Sequence, residues 1–347
     1  MDSGYQVCVV APEDEYAEKI KAEGIPFFPV RKLKRFSINP VHDLILYKEY
    51  VKVYSTLKPA FIFHYTIKPN IYGTLAARFC QIKCISITTG LGNAFAIKGL
   101  LRSFAKKLYK FSSLFALEVW FLNSTDRELF IKNHIIPEHK SFVLPGEGIN
   151  TSRFKSLVSV YKSGSNTFLL FSRMQYDKGV QTFVEATRIL KKKGYDFSAQ
   201  LLGQLDMNNP EAISLDTIDA WQQEGIISYL GTVTDVKAYI DSADIIVLPS
   251  YYMEGVPRVL LEAACMCKPI ITTRNTGCAE VVDDGVNGYL CEAKNVEDLA
   301  LQMEKFLHLP SEEREKMGIA GRRKVEEKFD EKIIIDIYKS KLEQYLG

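Results

Sequence analysis

The feature that most constrains this chain is its alternation. Short, continuous apolar runs are separated by longer amphipathic stretches from one end to the other. In the first half the strand-like runs fall at residues 5–12, 27–30, 60–64, 83–88, 118–122 and 141–144, with helical patterns between them, for example at 69–80 and 124–134. In the second half they fall at 167–172, 197–202, 227–230, 245–249, 269–273 and 288–291, with helices starting near Lys178, Asp216, Asp235, Pro257 and Val296. Strands that are apolar throughout are buried on both faces, and the helices between them provide the cover. The expected class is α/β with parallel, doubly wound sheets.

The alternation pauses once. Residues 146–166, GEGINTSRFKSLVSVYKSGSN, are rich in Gly, Ser and Asn and read as a linker. With 347 residues the chain can fill two cores. The expected domains are 1–155 and 156–329, with 330–347 as a last helix able to pack back across the boundary. Two such domains face each other across a cleft, and their ligands bind at the carboxyl ends of the strands. The start is unusual, because a strand follows Met1–Gly4 at once, without the strand, Gly-containing turn and helix that usually open such a domain. Two readings stand: a naturally shorter domain, and a start that omits a central strand, the latter being favoured.

Composition removes several function classes. The net charge of +2 gives no general affinity for nucleic acid. Seven cysteines, odd in number and without a Cys-x-x-Cys pair, read as free buried thiols suited to a reducing cytoplasm. No apolar stretch reaches the ~18–20 residues of a membrane span, and the N-terminus is too polar for a signal peptide. The expected location is cytoplasmic, with contact to the inner face of a membrane possible.

The strongest motif is EGVPRVLLE, residues 254–262. It follows the run IIVLPS and opens a helix. Pro257 suits a first helical position, and Gly255 lets a backbone approach a ligand closely. Free amides at a helix start attract anions. Glu254 before the helix and Glu262 in its second turn can each accept hydrogen bonds from sugar or ribose hydroxyls. A capping acid followed by an ordinary helix glutamate is the plainer alternative. The second motif, SRMQYDKG at 172–179, also joins a strand end to a helix start. Arg173 and Lys178 can converge on a diphosphate, one as a planar fork and one as a point charge. Two solvated loop cations are the plainer alternative there.

Together these motifs resemble the retaining glycosyltransferases of family 4, with the two-Rossmann architecture called GT-B. The Glu-x7-Glu spacing, the Arg173/Lys178 pair, ADIIVLPS at 243–250, and Gly277, Glu280, Gly285 and Gly288 carry the resemblance, which runs from about residue 4 to 330. It implies transfer of a hexose or N-acetylhexosamine from a nucleotide diphosphate sugar, UDP at the family level. Glu254 would contact donor hydroxyls, Glu262 the ribose, Arg173 and Lys178 the diphosphate. Gly255, Val256 and Pro257 would line the donor, and the turn Gly231-Thr232-Val233 would meet the base. Neither a cofactor nor a metal is expected. Asp241/Asp244 and Asp283/Asp284 read as a helix end and a turn.

The first half is expected to bind the acceptor through FHYTIKPN at 63–70 and TTGLGNAF at 88–95. These stretches resemble the subgroup that elongates lipid-diphosphate-linked glycans for capsule or O-antigen, with undecaprenyl diphosphate as carrier. Thr89 stands where many members carry a histidine, and Gly90 and Gly92 follow it. His64 is a nearby alternative, either at the cleft or as a structural histidine. The segment 96–115 has no acidic residue. Leu100, Leu101, Phe104, Leu108, Phe111 and Phe115 fall near one helical face, with Lys98, Arg102, Lys106, Lys107 and Lys110 supplying charge. It can lie on an anionic membrane surface or cover a core with a solvated basic face. The cluster 31–35, RKLKR, is a second basic patch, possible near the acceptor diphosphate. A UDP-sugar epimerase of similar shape and a non-catalytic nucleotide-sugar-binding protein are the competing functions.

Overall fold

The computed structural model describes residues 4–33, 39–90, 100–155, 166–207 and 209–347, without side-chain detail at 15 and 100–104. In the first half, β1 (Val9–Ala11), α1 (Glu15–Ala22), β2 (Phe27–Pro29) and α2 (Pro40–Leu57) lead to β3 (Phe61–Tyr65). A π-helical turn at Pro69–Gly73 runs into α3 (Thr74–Phe79). Then come β4 (Lys83–Thr88), α4 (Leu100–Ser113), β5 (Glu118–Phe121), α5 (Ser124–Lys132) and β6 (Ser141–Val143). Helix α2 starts sharply because Asn39 accepts from the Val41 amide and Pro40 takes the first position. Its Leu46, Tyr50 and Tyr54, four residues apart, face the core.

The second half holds β7 (Thr167–Phe171), α6 (Val180–Lys192), β8 (Ser198–Leu202), α7 (Leu215–Gln223), β9 (Ser228–Tyr229) and α8 (Lys237–Ser242). It continues with β10 (Ile245–Leu248), α9 (Arg258–Cys265), β11 (Ile270–Thr273), α10 (Thr276–Val281), β12 (Gly288–Cys291) and α11 (Val296–Leu307). It closes with α12 (Ser311–Lys328) and α13 (Glu331–Leu346).

All described strand pairs are parallel. The second sheet has the order β12-β11-β10-β7-β8-β9, and β10 and β11 are buried along their whole length. Its core lies in two layers, one on each face, as the unbroken apolar strands predict. The chain winds outward in opposite directions from β7 and β10. That adjacent pair is therefore the topological switch point, where a crevice opens beyond the strand ends. In the first half, β3-β4-β5-β6 form one sheet, and among the described residues β1 pairs only with β2, in a separate two-stranded sheet.

Helix α13 follows the second domain in sequence but packs on the first. Tyr338 meets Phe63 at 4.8 Å and Trp120 at 5.1 Å between ring centres. The Glu118 carboxylate accepts from Lys341 (2.7 Å), Tyr345 and the Trp120 indole (2.7 Å). Burial pushes the Glu118 carboxyl up, but these hydrogen bonds and the Lys341 charge outweigh it and leave it below its usual value. The two crossings between domains run side by side, with Ile149 and Asp330 bridged as parallel strands.

Candidate functional site

Two strand ends build the centre of the cleft. After β7, Ser172–Gly179 crosses into α6; after β10, residues 249–257 cross into α9. The backbone carbonyl of Asp177 ties the segments together by accepting from the amides of Tyr251 (2.9 Å) and Tyr252 (3.0 Å). Gly179 makes this approach possible. Its φ is +77°, and a Cβ there would lie 2.1 Å from the Pro249 carbonyl oxygen.

This join brings Lys178 onto Glu254. Lys178 Nζ and Glu254 Oε1 form an ion pair, both side chains nearly buried. The Ser250 hydroxyl lies 3.1 Å from the same carboxylate oxygen. The Tyr252 ring sits 4.7 Å from the ammonium, a cation–π contact. Arg173 is half-buried nearby, with Nη1 4.0 Å from Asp206 Oδ2. Asp177, which precedes Lys178 in the chain, has one carboxylate oxygen buried and without a hydrogen-bond partner. Burial raises its pKa; the charges of Lys178 and Arg173 oppose the shift, while Glu211 and Glu254 add to it.

Glu262 lies on α9 with Arg258 Nε donating to its Oε1 at 3.1 Å. Burial pushes its carboxyl up, against the pull of Arg258 and Arg153, and Asp235 adds to the rise. Asp235 stands two residues beyond the turn Gly231-Thr232-Val233. Gly231 has φ +75° and its carbonyl accepts from Gly203 at 2.8 Å. Val233 packs against the second-domain core. Pro257 is the cap residue just before α9, one place earlier than the first helical position the sequence suggests.

The first domain closes directly on this loop. A Cβ on Gly255 would fall 2.6 Å from the Thr89 carbonyl oxygen, and one on Gly90 would fall 2.9 Å from the Gly255 nitrogen. Met253 and Val256 pack against the first domain's cores. Thr89 and Gly90 thus lie at the interdomain seam, while Gly92 falls outside the described residues. So do Lys34 and Arg35 of the 31–35 cluster and residues 96–99 of the basic segment.

His64 is not at the cleft. It is 3% exposed, with Nε2 2.9 Å from the Tyr54 hydroxyl and Nδ1 3.2 Å from the Thr74 hydroxyl. Burial holds its pKa down at about 3. Alternation along β3 turns His64 under the helices and leaves Tyr65 on the other face, where its hydroxyl meets Tyr338 at 2.8 Å. The structural reading of this histidine is the correct one.

Asn123 was not among the residues the sequence singles out. It lies two residues beyond β5, caps α5 and reaches the Glu254–Gly255 backbone. Its place directly after a buried strand and before STDREL was the available signal. A cavity of about 400 Å³ opens beside α10, lined in part by Thr125, Arg274, Glu280, Lys324 and Lys328. Its cations are paired with Asp284, Asp283 and Glu280, and none of Arg173, Lys178, Glu254 and Glu262 lines it. Among the described residues no group of three or more His, Cys, Asp or Glu is placed to hold a metal ion, and no helix is long and apolar enough to cross a membrane.

Comparison with known proteins gives a consistent result. The family model "Glycosyl transferases group 1" matches residues 153–324, and "Glycosyl transferase 4-like" matches residues 1–123. The chain is 30% identical over 351 residues to the N,N'-diacetylbacillosaminyl-diphospho-undecaprenol alpha-1,3-N-acetylgalactosaminyltransferase of Campylobacter jejuni, covering 96% of this chain and 89% of that protein. It is 24% identical over 278 residues to the UDP-Gal:alpha-D-GlcNAc-diphosphoundecaprenol alpha-1,3-galactosyltransferase of Escherichia coli, covering 75% of this chain and 70% of that one. Among solved structures, Anabaena HepE in complex with UDP superposes with a TM-score of 0.80 at 17% identity, over 96% of this chain and 90% of that one. That likeness identifies the architecture as GT-B.

Proposed function

The chain belongs to the group 1 glycosyl transferases, and from that premise we propose that it moves a hexose or N-acetylhexosamine from a UDP-sugar to an undecaprenyl-diphosphate-linked glycan, with retention of configuration. Membership of a transferase family sets the epimerase alternative aside. The observation that carries the donor assignment is the contact of Lys178 with Glu254 at the switch point of the second sheet. It supports the reading because a cation suited to phosphate stands there beside a carboxylate suited to sugar hydroxyls.

In this reading Arg173 and Lys178 hold the diphosphate, Glu262 the ribose, the turn at Gly231 the base, and Glu254 the sugar. The C1–oxygen bond to the diphosphate breaks, and negative charge grows on the departing phosphate oxygens. Fixed cations, and the amides before α9, favour that charge more than they favour the ground state. The acceptor hydroxyl bonds to C1 on the face the diphosphate leaves, and its proton passes to a departing phosphate oxygen. No cofactor is invoked. The acceptor names of the two relatives, and the first domain's loops facing the donor loop, support a lipid-linked glycan as the second substrate.

The test is a transfer assay with a panel of UDP-sugars and a short-chain prenyl-diphosphate glycan, with the new linkage read by proton NMR. The expected product carries the anomeric configuration of the donor. An inverted linkage, or UDP-sugar interconversion without transfer, would refute the proposal.

A further inference from the structure

The donor loop is gripped from the other domain by one buried side chain. Asn123 is fully buried, two residues beyond β5. Its Oδ1 accepts from the Asp126 amide at 2.8 Å, capping α5. Its Nδ2 lies 3.1 Å from Asp126 Oδ2, 3.4 Å from the Glu254 carbonyl oxygen and 3.3 Å from the Gly255 carbonyl oxygen. One carboxamide therefore joins a helix cap of the first domain to two successive carbonyls of the second.

Those carbonyls belong to the peptides that set the loop's direction. In a planar trans peptide the C=O and the following N–H point opposite ways. Drawing both carbonyls toward Asn123 turns the amides of Gly255 and Val256 away from it. The loop has little other freedom: a Cβ on Gly277 would lie 1.6 Å from the Gly255 carbonyl oxygen, and one on Gly255 would lie 2.8 Å from Leu122 Cδ1. Asp126, also fully buried, keeps one carboxylate oxygen without a partner. Nothing but Asn123 reaches its carboxylate from a side chain among the described hydrogen bonds, so the cap and the clasp form one buried unit.

We propose that Asn123 is an interdomain positioning residue, which couples the closed arrangement of the two domains to the orientation of Glu254 and the amides of Gly255 and Val256. This rests on the donor reading above for its catalytic consequence, but not for the clasp itself. Asn123 touches no substrate; it acts through the loop that does.

Asn123→Ser separates the clasp from the cap. Serine is a good helix N-cap, but its short side chain does not span to two carbonyls. Amide hydrogen exchange, read by mass spectrometry on the free protein, is expected to rise about tenfold or more in peptides covering 250–257 and to stay unchanged in β12 and α11. With a donor that the wild type turns over, kcat is expected to fall about tenfold or more, while the Kd for UDP stays within about threefold. Unchanged exchange in 250–257 would overturn the clasp whatever reaction the protein performs. A loosened loop with unchanged kcat, or kcat and UDP affinity falling together with thermal stability, would overturn the positioning role. If the wild type itself ignores UDP, the donor reading fails, and the exchange result still decides the clasp.

Discussion

Lys178 and Glu254 stand 76 residues apart in sequence and meet as an ion pair, because β7 and β10 are neighbours in the second sheet. Breaking such a pair strands a charge in a nearly water-free place. The proposed function gives the two members different tasks, so their substitutions should differ in kind. Lys178→Ala should lower transfer about a hundredfold or more and abolish the thermal stabilisation given by UDP. Glu254→Gln should lower transfer as severely but keep that stabilisation, since its proposed contact is with the sugar. Turnover and UDP-dependent melting temperature, measured side by side, check both.

The glycines of the site should not be equivalent. A Cβ on Gly277 would lie 1.6 Å from the Gly255 carbonyl oxygen, so Gly277→Ala must move the donor loop. Large losses of both activity and melting temperature are expected. Gly231 has φ +75° but open space around it, so Gly231→Ala should cost only about 1 kcal/mol, from backbone strain. Thermal unfolding of the two variants separates contact from strain.

His64 makes acid stability predictable. Its folded pKa of about 3 lies below the unfolded value of 6.5. The neutral, buried form therefore contributes stability that is fully present above pH 6.5 and is lost as pH falls toward 3. Between pH 7 and pH 4 the loss from this group should be on the order of 3 kcal/mol. His64→Gln should be less stable at neutral pH and show a shallower decline with acid. Denaturant titrations at several pH values check this; an unchanged slope would exclude His64 as the source.

Helix α4 should bring the protein to anionic lipid. Tyr109 is buried in the first core, but Phe111 and Leu114 are 51% and 60% exposed, beside exposed Lys107 and Lys110. Each cation near such a surface contributes about 1 kcal/mol. Sedimentation with vesicles containing phosphatidylglycerol should capture the wild type and release Lys107→Glu/Lys110→Glu at moderate salt. Equal capture of both would remove α4 from the contact.

Much of this was legible in the sequence because its signals are local. The twelve apolar runs correspond to the twelve strands among the described residues, because a mostly apolar run bounded by polar residues marks a strand's limits locally. The Glu254 and Lys178 motifs were visible because each sits where a strand turns into a helix. What stayed hidden depends on side chains meeting across long separations. The side of the sheet on which His64 lies follows from β3's pairing with β4, and a histidine near a cleft-bound loop looks the same in either setting. Asn123 reads as an ordinary helix cap, and only the approach of the second domain shows its other bond.

The most direct test of the account is isothermal titration of UDP into the wild type, Arg173→Ala and Lys178→Ala at low and moderate salt. The prediction is binding by the wild type that weakens with salt, and a loss of about tenfold or more in each variant. Equal affinity in all three proteins would contradict the claim that these two cations at the β7 strand end hold the diphosphate.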